Sequence, residues 1–169
     1  MIPISRELVA WAAIGSFDFD PEDQSGAAVF SSDPGAEIRM YVRQGHDGYV
    51  LTWAERRSAE QFELSAPALE TMERYLLGQF GSNFRSLNGL PRLRIPTKPA
   101  TIANGFGLSG IDDRGRCALI DQRSDVVAVA GGDIAAYSTL VKLSHLLSSP
   151  VDEITASYRD PDGRPLFHV

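Results

Sequence analysis

The stretch SAPALETMERYLLGQFGSNFRSLNGLPRLRIP, Ser65 to Pro96, is where the chain turns from strand-like alternation to one strong amphipathic helix. Leu69, Met72, Leu76 and Phe80 recur three or four residues apart, the spacing that gathers side chains on one buried face. Glu70, Glu73, Arg74 and Gln79 fall between them and are expected in water. Ser65 is placed to cap this helix, with Pro67 in its first turn. Gly81 is expected to stop it. Phe84 and Leu87 suggest a further short helical turn, and Gly89, Pro91 and Pro96 then impose an extended exit.

Upstream of the helix the period is two. Ile38, Met40 and Val42 alternate with Glu37, Arg39, Tyr41 and Arg43, as in a half-buried strand. Asp47-Gly48 is a short hairpin signal, after which Tyr49, Leu51 and Trp53 supply the next inward face, and Phe62 and Leu64 continue it in a fourth strand. The links Ser32 to Gly35, Gln44 to Gly48 and Glu55 to Ser58 are short, so an antiparallel meander is the simplest topology. Before the meander, Ser5 caps a first helix whose Leu8, Trp11 and Ala12 share a face and which ends near Gly15. Asp18, Asp20, Glu22 and Asp23 then read as an acidic loop. They lack the D-x-D-x-D-G spacing of a calcium loop, so no metal is assigned to them.

Downstream, three short apolar segments, Phe106 to Ile111, Cys117 to Ile120 and Val126 to Ala130, are separated by charged turns. A second long helix starts at Asp133 as cap, with Ile134, Tyr137, Leu140, Val141 and Leu147 on its buried face. Ser149-Pro150-Val151-Asp152 has the form of a capping box opening a third helix on Val151, Ile154 and Tyr158. A last short strand is expected at Pro165 to His168. Segregated strands and helices with short turns define an α+β fold. Residues 1–169 are expected to form a single domain on a mainly antiparallel sheet of about seven strands, in two meanders, with three or four packed helices.

Composition narrows the function classes. At 169 residues, 43% hydrophobic and 22% charged, the chain is of ordinary globular make-up and buries roughly 70% of its unfolded surface. The longest apolar run, Leu8 to Ile14, is too short to span a bilayer, and MIPISREL lacks the features of a secretion signal, so a cytoplasmic protein off the membrane is expected. Cys117 is the only cysteine, which leaves no intrachain disulfide. A formal net charge of -6 argues against nucleic-acid binding and is compatible with a basic protein partner.

No motif carries catalytic chemistry. Gly105-Phe106-Gly107-Leu108-Ser109-Gly110 matches G-x-G-x-x-G, but a proline-rich linker precedes it and a charged turn follows, where a dinucleotide fingerprint needs a strand and then a helix. It reads as a glycine-rich strand, and no cofactor is expected. His46, His145 and His168 are scattered without metal-ligand spacing. Arg85, Arg92, Arg94 and Lys98 form a basic run whose ordinary reading is the solvated side of an extended segment.

The blocks ERYLLGQFG at 73–81, Gly89-Leu90-Pro91 with Pro96, and LVKLSHLLSSPVDEITASYRDPDGRPLF at 140–167 resemble the family of the tuberculosis necrotizing toxin immunity factor, also called immunity protein 61. The resemblance implies an antitoxin with no enzymatic activity. Such a protein binds a secreted toxin one to one inside the producing cell, and the named toxin hydrolyses NAD, so occlusion of an NAD-binding cleft is implied. The blocks are helix faces, caps and turns, and no inhibitory residue transfers with them.

A binding surface can be sought on physical grounds. A loop that enters a cleft should be a tight projection with long polar side chains, braced by strands so that little entropy is lost on binding. Glu55-Arg56-Arg57-Ser58 with Glu60 and Gln61 fits this best. The Gln61 amide could imitate a nicotinamide carboxamide while Arg56 and Arg57 anchor by bidentate contacts, with Glu60 beside them. Two readings from other classes compete. One is a small enzyme or ligand-binding domain with a pocket near Ser109, Tyr137 and His145; the other is a scaffold module with an exposed apolar patch.

Overall fold

A computed structural model describes residues 1–32 and 35–169. The elements are α1 (Arg6–Ile14), β1 (Phe17–Asp20), β2 (Ala28–Ser32), β3 (Ile38–Gly45), β4 (Gly48–Glu55), β5 (Gln61–Ala66), α2 (Leu69–Leu87), a 3-10 turn at Pro99–Thr101, β6 (Phe106–Leu108), β7 (Cys117–Asp121), β8 (Val126–Ala130), α3 (Ile134–Leu147) and α4 (Val151–Arg159). All eight strands join one antiparallel sheet in the order β1-β2-β3-β4-β5-β8-β7-β6. The two expected meanders are therefore one α+β layer pair, stitched by the short β5–β8 ladder, Leu64↔Ala130 and Ser65↔Val129.

The extra strand is β1. Phe17-Asp18-Phe19-Asp20 alternates with period two, and pairing with β2 sends both phenylalanines to the core, Phe19 stacking 4.8 Å from Phe30. Asp18 and Asp20 thus belong to a strand, on its solvent side, and not to a loop. Among the described residues no group of three or more His, Cys, Asp and Glu is placed to hold a metal. The β3–β4 hairpin forms where expected, closing Gly45 against Gly48 with His46-Asp47 as the two turn residues. Of the expected link Ser32 to Gly35, Asp33 and Pro34 lie outside the described residues.

One face of the sheet carries the core. Phe30, Val42, Leu51, Leu64, Leu119 and Ala130 present it, and Met72, Leu76 and Phe80 of α2 cover the middle with Leu140 and Leu143 of α3 beside them. Burial of each large apolar side chain is worth about 1.5–3 kcal/mol, so this layer is the main source of stability. The opposite face carries a small buried cluster among the described residues, Ala27, Val29, Tyr41 and Ala54. α1 forms as expected, capped by Ser5, whose hydroxyl accepts from Leu8 N; Trp11 Nε1 donates to Leu77 O at 2.9 Å, joining α1 to α2.

The central helix departs from its expected limits at both ends. Ser65 lies in β5 and the helix starts four residues later behind Ala68, without a side-chain cap. It also runs through Gly81 to Leu87. Packing explains why: a Cβ on Gly81 would stand 2.4 Å from Tyr158 Cγ of α4, and one on Gly78 2.8 Å from Leu146 Cδ1 of α3. The two glycines let three helices approach closely, and that burial outweighs the roughly 1 kcal/mol each costs in a helix interior. Glu73 and Arg74 are not left to water, since Glu73 Oε1 accepts from Ser5 N at 2.6 Å and Arg74 donates to Leu146 O at 3.0 Å.

The other long helices keep their positions but not their predicted caps. Asp133 precedes α3 and Pro150 precedes α4, yet neither side chain caps, and Ser149 Oγ donates back to His145 O at 2.9 Å. Ile134 is 79% exposed, and Ala136, Leu140, Val141, Leu143 and Leu146 make the buried face. Residues 165–168 do not form a strand. The chain end is held by Arg94 N donating to His168 O at 2.7 Å and by burial of Phe167. No helix among the described residues is long and apolar enough to cross a membrane.

Candidate partner-binding surface

The β4–β5 turn is built as a braced projection. Ser58 N donates to Glu55 O at 2.9 Å, and Ser58 Oγ accepts from Glu55 N at 3.0 Å, closing the turn on both sides. Arg56 at its tip has φ 51, the left-handed region a side chain enters only when neighbours hold it there. The holding contacts come from β3 and the segment before it. Arg56 N donates to Glu37 O at 2.6 Å, Arg39 Nη2 donates to Arg56 O, and the Arg56 guanidinium lies 3.4 Å from Glu37 Oε1. Arg57 is exposed and forms no salt bridge among the described residues.

Glu60 does a different job. Its carboxylate takes a bidentate pair from Arg43, Nη1 at 2.6 Å and Nη2 at 3.0 Å, and a hydrogen bond from Thr52 Oγ1. The Arg43 bond outweighs an opposing burial cost and, with Thr52 assisting, holds the Glu60 carboxyl below its usual range. This clamp ties the start of β5 across β4 to β3. It was illegible in the sequence, because Arg43 and Glu60 are 17 residues apart and nothing in their spacing pairs them.

Gln61 opens β5 directly opposite Trp53, so the two side chains share a face, the one that carries the core. Past this point a β-bulge changes the register: Leu51 pairs with Leu64 but Thr52 pairs with Phe62. The bulge puts Phe62 on the outer face, against the expectation that it shares the inward side with Leu64, and there the Arg116 guanidinium stacks 4.0 Å from its ring centre. Glu63 instead reaches the helix side, where its carboxylate accepts the Tyr75 hydroxyl. Burial, and secondarily the Glu63 charge, pushes the Tyr75 phenol well above its usual value.

Helix α2 does not cover this end of the sheet. Ile38, Met40 and Trp53 are only partly buried, Ile38 being 38% exposed, and with Leu51, Glu63, Tyr75 and Gln79 they bound a shallow hollow of about 230 Å³. The polar turn and this apolar shelf are neighbours through the Trp53–Gln61 pair. The structure thus brings Arg56, Arg57, Glu60 and Gln61 together at one sheet end, and adds an apolar shelf that periodicity alone did not single out.

The competing constellation is not drawn together in the same way. The Ser109 hydroxyl donates to Gly110 O and accepts from Ala118 N, both at 2.8 Å, and His145 Nε2 donates to Thr101 O at 2.8 Å. None of Ser109, Tyr137 and His145 lines the hollow beside Trp53 or the larger cavity between α2 and α3. Phe106–Leu108 of the glycine-rich stretch is a strand, and the next element is strand β7. Cys117 is buried, which raises its thiol pKa.

The family described as Immunity protein 61 matches residues 11–166. The chain is 31% identical over 170 residues to "Immunity factor for TNT" of Mycobacterium tuberculosis and to "Immunity factor for TNT homolog" of Mycobacterium bovis, covering 98% of this chain and 93% of each relative. The solved structure of Rv3902c from M. tuberculosis superposes with a TM-score of 0.88 at 30% identity, over 98% of this chain and 94% of that one. With a matching fold over nearly its whole length, the chain belongs to the immunity protein 61 family, whose members are immunity proteins against toxins.

Proposed function

We propose that this immunity protein inhibits an NAD-hydrolysing toxin in the cytoplasm of the producing cell, by forming a one-to-one complex that occludes the toxin's active-site cleft. The observation that carries the reading is the union of a rigid polar turn with a half-exposed apolar shelf at the Trp53–Gln61 pair. Stable interfaces have an apolar centre with aromatic and arginine anchors and a polar surround. Here Ile38, Met40 and Trp53 supply the apolar part, Arg56 and Arg57 the cationic anchors, and Gln61 the amide that enters the cleft. Glu60, locked to Arg43, keeps the turn from having to order on binding, which lowers the entropic cost of association.

The relatives' names, which link them to TNT, support a toxin as partner. No enzymatic activity is assigned to the chain; inhibition requires only that the toxin's cleft be filled. The test is competition. A non-hydrolysable NAD analogue, saturating the toxin's catalytic domain, is expected to weaken calorimetric binding of this protein in proportion to the analogue's occupancy, with a stoichiometry of one. Affinity indifferent to the analogue would contradict occlusion while leaving complex formation intact.

A further inference from the structure

Between α2 and α3, behind the extended segment 90–95, lies a cavity of about 430 Å³. Its volume is within the range of small-molecule sites, roughly 300–1,000 Å³. Its lining is not that of a gap between helices. Ser82 and Ser86 stand one turn apart on α2, Ser138 and Lys142 one turn apart on α3, and Arg92 reaches it from the covering segment. Among the described residues no carboxylate lines it, in a chain where acidic residues outnumber basic ones 22 to 16. Among the described residues neither Arg92 nor Lys142 forms a salt bridge.

A third positive charge belongs to the wall. Arg85 is 2% exposed, and its guanidinium donates only to backbone carbonyls, so its hydrogen bonds are made while its charge meets no carboxylate within salt-bridge distance among the described residues. Lys142 also bears the consequence of its position: burial first, and then the facing Arg92 charge, lowers its ammonium pKa. Like charges held toward one partly enclosed space destabilise the empty protein, and an arriving anion reverses the sign of that interaction. Deeper in, Leu93, Leu143 and Leu146 offer apolar wall.

We propose that this cavity binds a small organic oxyanion, a phosphate or carboxylate head held between Arg92 and Lys142, with the rest of the molecule packed inward among the serine hydroxyls and against Leu93, Leu143 and Leu146. The site shares Tyr75 and Gln79 with the hollow beside Trp53 but includes no residue of the β4–β5 turn, and it does not depend on the toxin-binding reading. Two charge-assisted contacts to one head are the strong kind, and both cations sit at the cavity mouth where an anion enters.

The probes are inorganic phosphate, glycerol 3-phosphate and phenyl phosphate, with glycerol as the neutral control, read by amide shifts in a 15N-labelled full chain. Saturable shifts confined to residues 82–86, 92 and 138–142 are expected for at least one organic phosphate and not for glycerol. Lys142→Gln and Arg92→Gln should each weaken that binding by about tenfold or more. Because Lys142→Gln removes a like charge from the mouth, it is also expected to melt no lower than the parent. Shifts that fail to saturate up to about 10 mM, or that saturate equally in both variants, overturn the proposal. A Lys142→Gln variant that binds less only because it melts lower overturns the unpaired-charge argument. Ser86→Ala, which leaves the charges in place, then reports whether the hydroxyls contribute.

Discussion

An Arg85→Met variant is expected to lose about 3–5 kcal/mol of folding stability, the largest loss from any single side chain outside the apolar core. Arg85 sits in the last turns of α2 with 2% exposure, and its Nε donates to Pro91 O at 2.7 Å. Nη1 donates to Tyr158 O at 3.0 Å and Asp160 O at 2.6 Å, and Nη2 to Pro161 O at 2.9 Å. One guanidinium therefore ties the end of α2 to its own exit and to the C-terminal end of α4, where a positive charge also meets the helix dipole favourably. Methionine keeps the apolar stem and removes every donor, leaving carbonyls that cost about 1–3 kcal/mol each where water does not reach them. Arg85→Lys keeps the charge but offers a point donor in place of a planar fork, and an intermediate loss is expected. Urea unfolding measures both. A change under about 1 kcal/mol for methionine would mean that water replaces the guanidinium without difficulty.

The second large effect is on inhibition and not on folding. Gln61→Ala and Arg57→Ala are each expected to raise the concentration needed to inhibit the toxin by about tenfold to a hundredfold, the range of a central interface residue. Both side chains are exposed, so the melting temperature should stay within experimental error of the parent. Arg56→Ala should do less, because part of the Arg56 guanidinium's role is its ion pair with Glu37. Glu60→Gln separates bracing from contact: it weakens the Arg43 clamp and should slow association without abolishing inhibition at high concentration. Inhibition unchanged in both Gln61→Ala and Arg57→Ala would place the contact elsewhere on the molecule.

The parts of this fold that were legible in the sequence are those where one local rule acts alone. The Ser5 cap, the period-two stretch at 36–43 that falls largely in β3, the β3–β4 hairpin and the apolar face of α4 each follow from spacing within about ten residues. The departures arise where distant packing decides. Gly81 has the local character of a helix stop, but the Tyr158 ring against it makes a continuous helix the better-packed answer. Phe62 has the parity of an inward residue until the bulge opposite Leu51 and Thr52 reverses it. Asp18 and Asp20 suggested a loop by charge, while the phenylalanines between them carried the strand.

The same distinction holds at the candidate surface. Arg56, Arg57, Glu60 and Gln61 could be grouped from the sequence because they share one turn, and the structure keeps them at one sheet end. What could not be read was the division of labour, since the clamp on Glu60 comes from β3 and β4 and the apolar shelf exists because α2, reaching it with Tyr75 and Gln79, leaves Trp53 only partly buried. Arg85 and Arg92 looked alike as members of one basic run. Three-dimensional packing buries the first among carbonyls and leaves the second at the mouth of a cavity.

The most direct measurement is NAD hydrolysis by the cognate toxin's catalytic domain, titrated with this protein at fixed toxin concentration. Occlusion by a tight complex predicts activity falling linearly to zero, with the end point at one protein per toxin and no recovery on dilution over minutes. Full NAD hydrolysis by a toxin shown in the same sample to be bound to the protein would contradict it.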